Sequence, residues 1–296
     1  MSRSALSHFA PSRSALLRRA LRHSFLAACL LLCAVPAGRT SAAPPAGPAP
    51  GPLHIIGGAF AGGCFAGGVR LPPSGPGFQT IHLDRSRFWG APQTIAGIEL
   101  LASEAKAHGL PTLLVEDISR PRGGPLPGGH VSHQVGLDAD IGLDMRPRLL
   151  LDAPQRESIA LASLVRLDQL GVDPARWSAR VVTLLHLAAT LPQVDRILVN
   201  PAIKRQLCRE VQGDRGWLQR IRPWWGHAAH MHIRFRCPAG QRDCVDQPPP
   251  PRGDGCDATL QWWFDQATVP PPIPKSHRPP PPLPAACRAI LNPPAG

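Results

Sequence analysis

Two short stretches, His230–Phe235 (HMHIRF) and Leu137–Ile141 (LDADI), alternate polar and apolar residues, and that alternation constrains this chain of 296 residues more than any other feature. A period of two is the mark of a strand that lays one face on a core. Met231, Ile233 and Phe235 take the core side, so His230 and His232 point away from it together. Leu137, Ala139 and Ile141 do the same for Asp138 and Asp140. Should the two strands be neighbours, imidazole and carboxylate converge on one face of a sheet.

Imidazole nitrogen and carboxylate oxygen hold borderline cations such as zinc, and a catalytic zinc site takes three protein ligands and keeps one position for water. His133, Asp140 and His232 make up such a set, with His130 as a further metal-ligand candidate. Five of the 12 histidines fall in these two clusters, which favours a metal site over scattered surface imidazoles. His230 lies on the face of His232, about 6–7 Å along the strand, where a general base or proton donor belongs. His227, just before it, is a second catalytic candidate, able to orient water or stabilise a transition state. Ligating histidines pass their other ring nitrogen to a partner, and Asp138 or Ser132 is near enough in sequence to serve. The chain has no G-x-S-x-G, no H-E-x-x-H and no Walker or dinucleotide glycine motif, which removes the common serine, zincin and nucleotide schemes.

Residues 1–43 carry six arginines and no acid, with the apolar run Phe25–Val35 and the small residues Ser41–Ala43 after it, as in a signal peptide. About 12 apolar residues are too few to span a bilayer, so no stable membrane insertion is expected once the leader is cut. Removing those arginines takes the formal charge from +12 to +6, so the mature chain is mildly basic. No nucleic-acid motif accompanies that charge, and an exported basic protein more readily meets an anionic cell wall. Cys29 and Cys33 leave with the leader, and the remaining six, Cys64, Cys208, Cys237, Cys244, Cys256 and Cys287, read as disulfides in an exported chain. Spacing favours Cys237 with Cys244 and leaves the other pairings open.

At the histidine clusters the chain resembles the LAS metallopeptidases, the group of lysostaphin-type and D-Ala-D-Ala-cleaving enzymes. His133, six residues and Asp140 fit their first motif, and His230-Met-His232 fits their closing His-x-His. GGHVSHQVGLDADI, VNPAIK at Val199–Lys204, RPWWGHAAHMHIRFRCP and the cysteine-rich tail are most similar to the penicillin-insensitive murein endopeptidases, over roughly residues 53–290. The resemblance implies a periplasmic Zn2+ enzyme that cuts the D-alanyl to meso-diaminopimelyl cross-link between peptidoglycan stem peptides, with His230 as general base. It implies the disulfides Cys64–Cys287 and Cys208–Cys256. A second metal position described in such relatives would need an aspartate, matched by Asp168, and a histidine where Gly171 stands. A D-Ala-D-Ala carboxypeptidase or dipeptidase, and a wall-binding module that keeps its metal for structure, stay open on the motif alone.

The expected architecture is α+β: an antiparallel sheet bearing the ligands, flanking helices, disulfide staples and a proline-rich tail over 245–290. A linker over 44–52 leads to a single domain, 53–290. Helices are expected at Gln93–His108, Ser158–Leu170 and Ala175–Thr190, the last opening on Asp173 and Pro174, with short ones after Asn200 and near Leu260–Phe264. Strands are expected at Thr112–Ile118 and Val194–Val199, and Trp224 with Trp225 offers a wall for peptide or sugar.

Overall fold

The computed structural model describes residues 47–58, 61–127, 131–266 and 282–293. The signal peptide, His130 and most of the second proline run lie outside the described residues. The strands are β1 (His54–Gly58), β2 (Ala61–Ala66), β3 (Val69–Arg70), β4 (Ser74–Gly75), β5 (Phe78–Thr80), β6 (Trp89–Gly90), β7 (Leu113–Val115), β8 (Asp138–Gly142), β9 (Val194–Val199), β10 (Ile221–Pro223), β11 (His230–Phe235) and β12 (Cys244–Val245). The helices are α1 (Pro92–Ala107), α2 (Ala153–Ser158), α3 (Ala179–Thr190), α4 (Pro201–Glu210), α5 (Ala258–Asp265) and α6 (Ala285–Leu291). None of the described helices is long and apolar enough to cross a membrane.

The main sheet runs β10-β9-β11-β8-β7-β5-β4. β11 lies between β8 and β9 and is antiparallel to both, so the two alternating stretches are direct neighbours. The sheet is mixed rather than purely antiparallel, because β10 is parallel to β9 and β5 is parallel to β7. Each parallel pair is joined through a helix, α4 between β9 and β10 and α1 between β5 and β7, and a crossover of that kind returns the chain in the same direction. Met231, Ile233, Phe235, Ala139, Ile141, Ile197 and Val199 are all buried in one core with α1 and α3. α1 comes so close that a Cβ on Gly97 would lie 2.6 Å from Phe235 Cε1, which only glycine avoids.

Two helix expectations are corrected. Residues 159–170 are irregular chain with a single turn at 167–168, not helix. Asp152 and Gln155 form a capping box that starts α2 early, and it ends at Ser158 with Ile159 extended. Leu164 then donates its N–H to Ala228 O, Arg166 N–H closes a turn on Gly171 O, and Leu167 and Leu170 are left exposed, so the leucines never share a helical face. Asp173 and Pro174 form a turn of their own, in which Asp173 Oδ1 accepts from Ala175 N–H, and α3 starts only after the extended Ser178. Val181, Leu184 and Leu185 are buried on one side of α3, as the spacing predicts. The strand expected at Thr112–Ile118 is shortened to β7, although Glu116 and Asp117 still exchange backbone hydrogen bonds with Asp140.

Three disulfides tie the fold: Cys64–Cys287, Cys208–Cys256 and Cys237–Cys244. The proline run at 248–251 is held by its carbonyls, Pro248 O accepting from Arg196 and Pro251 O from Gln219. Buried Lys204 of VNPAIK donates to Leu218 O and Asp254 O and so anchors the tail to α4. Cys64–Cys287 joins residues 223 apart in sequence. Cys287→Ser is therefore expected to cost about 2–5 kcal/mol, chiefly by freeing the unfolded chain. Urea unfolding followed by circular dichroism checks this, and an unchanged midpoint would contradict it.

Candidate metal centre

Register sets the geometry. His232 lies opposite Asp140, Arg234 opposite Asp138 and His230 opposite Gly142, so all these side chains share the face away from the core. His133 arrives from the loop before β8. His133, Asp140 and His232 are buried, and each offers one ligand atom within 4.8 Å of the others, the only such group of three among the described residues. His133 Nε2 is 3.3 Å from Asp140 Oδ2, and His232 Nδ1 is 3.1 Å from Asp140 Oδ1.

The other ring nitrogens are committed elsewhere. His133 Nδ1–H donates to Ile118 O at 2.9 Å, since a carbonyl only accepts. His232 Nε2–H donates to Asp138 Oδ1 at 3.0 Å. In the neutral rings the remaining lone pairs, from His133 Nε2 and His232 Nδ1, therefore both face the Asp140 carboxylate. Lone pairs facing a carboxylate across about 3 Å repel unless a proton or cation lies between them. Asp140 Oδ1 is buried with no hydrogen bond, although His232 Nδ1 lies 3.1 Å away. The residues fit a cation of the N,N,O type.

Electrostatics follow from burial and partners. Burial alone would lower the His133 imidazole, and Asp140 overrides it, raising it to about 9, so that without a cation a proton fills the gap between His133 Nε2 and Asp140. Burial alone would raise the Asp140 carboxyl, and His133 and His230 hold it well below the usual carboxylate range. His133 sits at φ 63, a left-handed conformation that costs a non-glycine residue about 1 kcal/mol or more. Its N–H donates to Asp138 Oδ2 at 2.9 Å and its carbonyl accepts from Ser119 Oγ at 2.6 Å, which together hold it there.

His230 is at the rim, its side chain 25% exposed and its Nε2 3.7 Å from Asp140 Oδ2. The His227 ring is 5.4 Å from that of His230 and 5.6 Å from that of His232, and its Nδ1–H donates to Trp225 O. Burial, helped by His232, lowers the His227 imidazole to about 3, so it is neutral with Nε2 left as an acceptor. The loop carrying it is gripped from three sides, with His227 O, Ala228 O and Ala229 O accepting from the N–H groups of Asn200, Leu164 and Leu143. That is the structural use of VNPAIK, whose Asn200 also caps α4 through Ala202 N–H. Trp224 and Trp225 both lean on the Trp263 ring, at 5.9 and 5.7 Å, with Trp224 half exposed.

Asp168 is not part of the group of three. It pairs with exposed Arg166 at 2.8 Å and accepts from Leu170 N–H. Ser132 is not among the partners of the ligating rings; Asp138 serves His232, and a backbone carbonyl serves His133. The residue that sequence reasoning missed is Arg234, which grips Asp138 through Nε and Nη2, both at 2.7 Å. Its signal was present, because Arg234 shares the strand phase of His230 and His232.

Residues 56–292 match the family described as penicillin-insensitive murein endopeptidase. The chain is 45% identical over 249 residues to the penicillin-insensitive murein endopeptidase of Salmonella heidelberg, covering 83% of this chain and 88% of that one. It is 45% identical over 239 residues to that of Klebsiella pneumoniae, covering 79% and 85%. For Salmonella newport the figures are 44% over 249 residues, 83% and 88%. With a family match across most of its length and relatives this similar along nearly their whole length, the chain belongs to the penicillin-insensitive murein endopeptidase family.

Proposed function

We propose that the protein is a zinc-dependent peptide hydrolase of the periplasm that cuts the D-alanyl to meso-diaminopimelyl cross-links of peptidoglycan. Residues 1–43 export it, residues 44–52 link, and residues 53–290 form the one catalytic domain. The observation that carries this reading is the convergence of His133, Asp140 and His232 with their outward nitrogens already tied to Ile118 O and Asp138. These three residues would hold the zinc, and His130 is proposed as a further ligand. When bound, the ion supplies a Lewis acid and lowers the pKa of its water to roughly 7.

The protein's own groups account for the rest. Asp138 fixes the tautomer of His232, and Arg234 keeps Asp138 ionised. His230, the exposed member, is the group that takes the proton from the attacking water and delivers it to the leaving amine nitrogen. His227, neutral and donating through Nδ1, presents Nε2 to accept a hydrogen bond from water or a substrate N–H. No serine forms an acyl-enzyme in this scheme, which makes insensitivity to β-lactams a chemical consequence of it.

The test is digestion of purified sacculi before and after chelation, with metal analysis of the mature protein and mass spectrometry of the products. Cross-linked dimers are expected to disappear with about one zinc per chain, to persist after chelation and to disappear again when zinc is restored. Dimers that persist beside trimmed pentapeptide monomers would instead identify a carboxypeptidase. Undiminished cleavage in the chelated, metal-free protein would refute the metal reading.

A further inference from the structure

Apart from the three ligand residues, the structure contains a cavity of about 340 Å³ lined by Arg85, Arg120 and Arg122, with Ser86, Gly123 and Leu291 among its other walls. Among the described residues no acidic side chain lines it. The three guanidiniums are held differently. Arg85 Nη1 donates to Glu116 Oε1 at 2.9 Å. Arg122 donates to Gly47 O at 2.9 Å and Ile290 O at 2.8 Å, both neutral carbonyls. Arg120 pairs with no acid among the described residues. The cavity thus concentrates positive charge that the described residues compensate only at Arg85, and an anion entering it relieves the repulsion.

Its place in the fold links it to the ligand loop. Ile118 O holds the His133 ring and Ser119 Oγ holds the His133 carbonyl, and Arg120 is the next residue, its Cα about 3.8 Å from that of Ser119. We infer that this cavity is a subsite for a free carboxylate of the stem peptide, with Arg120 the residue that recognises it. The inference rests on the peptidoglycan reading above. Diaminopimelate brings a carboxylate that is not consumed in the peptide backbone, and at the cross-link that carboxylate sits on the carbon bonded to the scissile nitrogen, within reach of a guanidinium beside the ligand loop. A guanidinium takes a carboxylate through two parallel hydrogen bonds, which a point charge does not reproduce.

The experiment compares cross-linked muropeptide dimers bearing free carboxylates with the same dimers amidated at those carboxylates, using the full mature protein loaded with zinc. Wild type is expected to show a KM about tenfold lower for the free-acid dimer, the scale of one charge-assisted hydrogen bond in a partly exposed cleft. Arg120→Gln is expected to raise that KM about tenfold, with kcat within about twofold and the KM for the amidated dimer little changed. Arg120→Lys recovers only part of the loss, because it keeps the charge without the fork. Equal KM values for the two dimers in wild type, or an Arg120→Gln effect that is the same on both, would overturn the subsite. The wild-type comparison needs no variant to fold, and failure to cleave either dimer would instead bring down the endopeptidase reading.

Discussion

Asp140→Ala is expected to strip the protein of metal and lower cross-link cleavage by more than the 10–100-fold typical for loss of a supporting partner. Asp140 is the one charged group of the three and lies 3.3 Å from His133 Nε2 and 3.1 Å from His232 Nδ1, and its carboxyl is kept ionised against burial by His133 and His230. Its removal leaves His133 on Ile118 O and His232 on Asp138, so the fold should survive. Metal content by mass spectrometry and muropeptide release from sacculi are the two readouts. A variant that keeps one metal per chain and cleaves at the wild-type rate would exclude Asp140 as a ligand. An unfolded variant is recognised by circular dichroism, and Asp140→Asn then provides the same test with the volume kept.

Arg234→Met is expected to cost about 3–5 kcal/mol, because it leaves the Asp138 carboxylate buried without its opposite charge. Asp138 is fully buried and Arg234 nearly so, which separates this pair from the exposed surface pairs that contribute little. Activity should fall about 10–100-fold as well, since Asp138 orients His232. Adding Asp138→Leu to Arg234→Met removes the stranded charge and should restore much of the stability but not the activity. Burial alone would raise the Asp138 carboxyl, and Arg234 overrides it and holds it well below its ordinary 3.8. A carboxyl depressed in the folded state stabilises fully above its unfolded value and loses that contribution as pH falls through the folded one. Urea midpoints of wild type and Arg234→Met should therefore differ at neutral pH and approach one another as pH drops below about 3.8. A constant difference down to strongly acid pH would disprove this account of the pair.

Much of the candidate site could be read in the sequence because strands declare themselves locally. Met231, Ile233 and Phe235 are buried, and the polar side chains between them take the other face, as their alternation predicts. α1 and β9 were likewise legible from periodicity and from a strand bounded by turn residues. The misread stretch, 158–170, has leucines at near-helical spacing whose partners are distant: Leu164 N–H goes to Ala228 O across the ligand loop. A local pattern cannot weigh such a contact against a helical hydrogen bond. The parallel pairs β9/β10 and β5/β7 were hidden for the same reason, because strand direction depends on the path of the connection.

By itself the sequence determined which side chains share a face: His230 with His232 and Arg234, and Asp138 with Asp140. Only the tertiary structure decided which atoms meet. A slip of one residue between β8 and β11 would change every pairing across them, and the His232–Asp138 bond joins residues 94 apart. Which nitrogen of each imidazole faces Asp140 was likewise decided by remote acceptors, Ile118 O and Asp138, because a ring's tautomer follows the group that receives its proton.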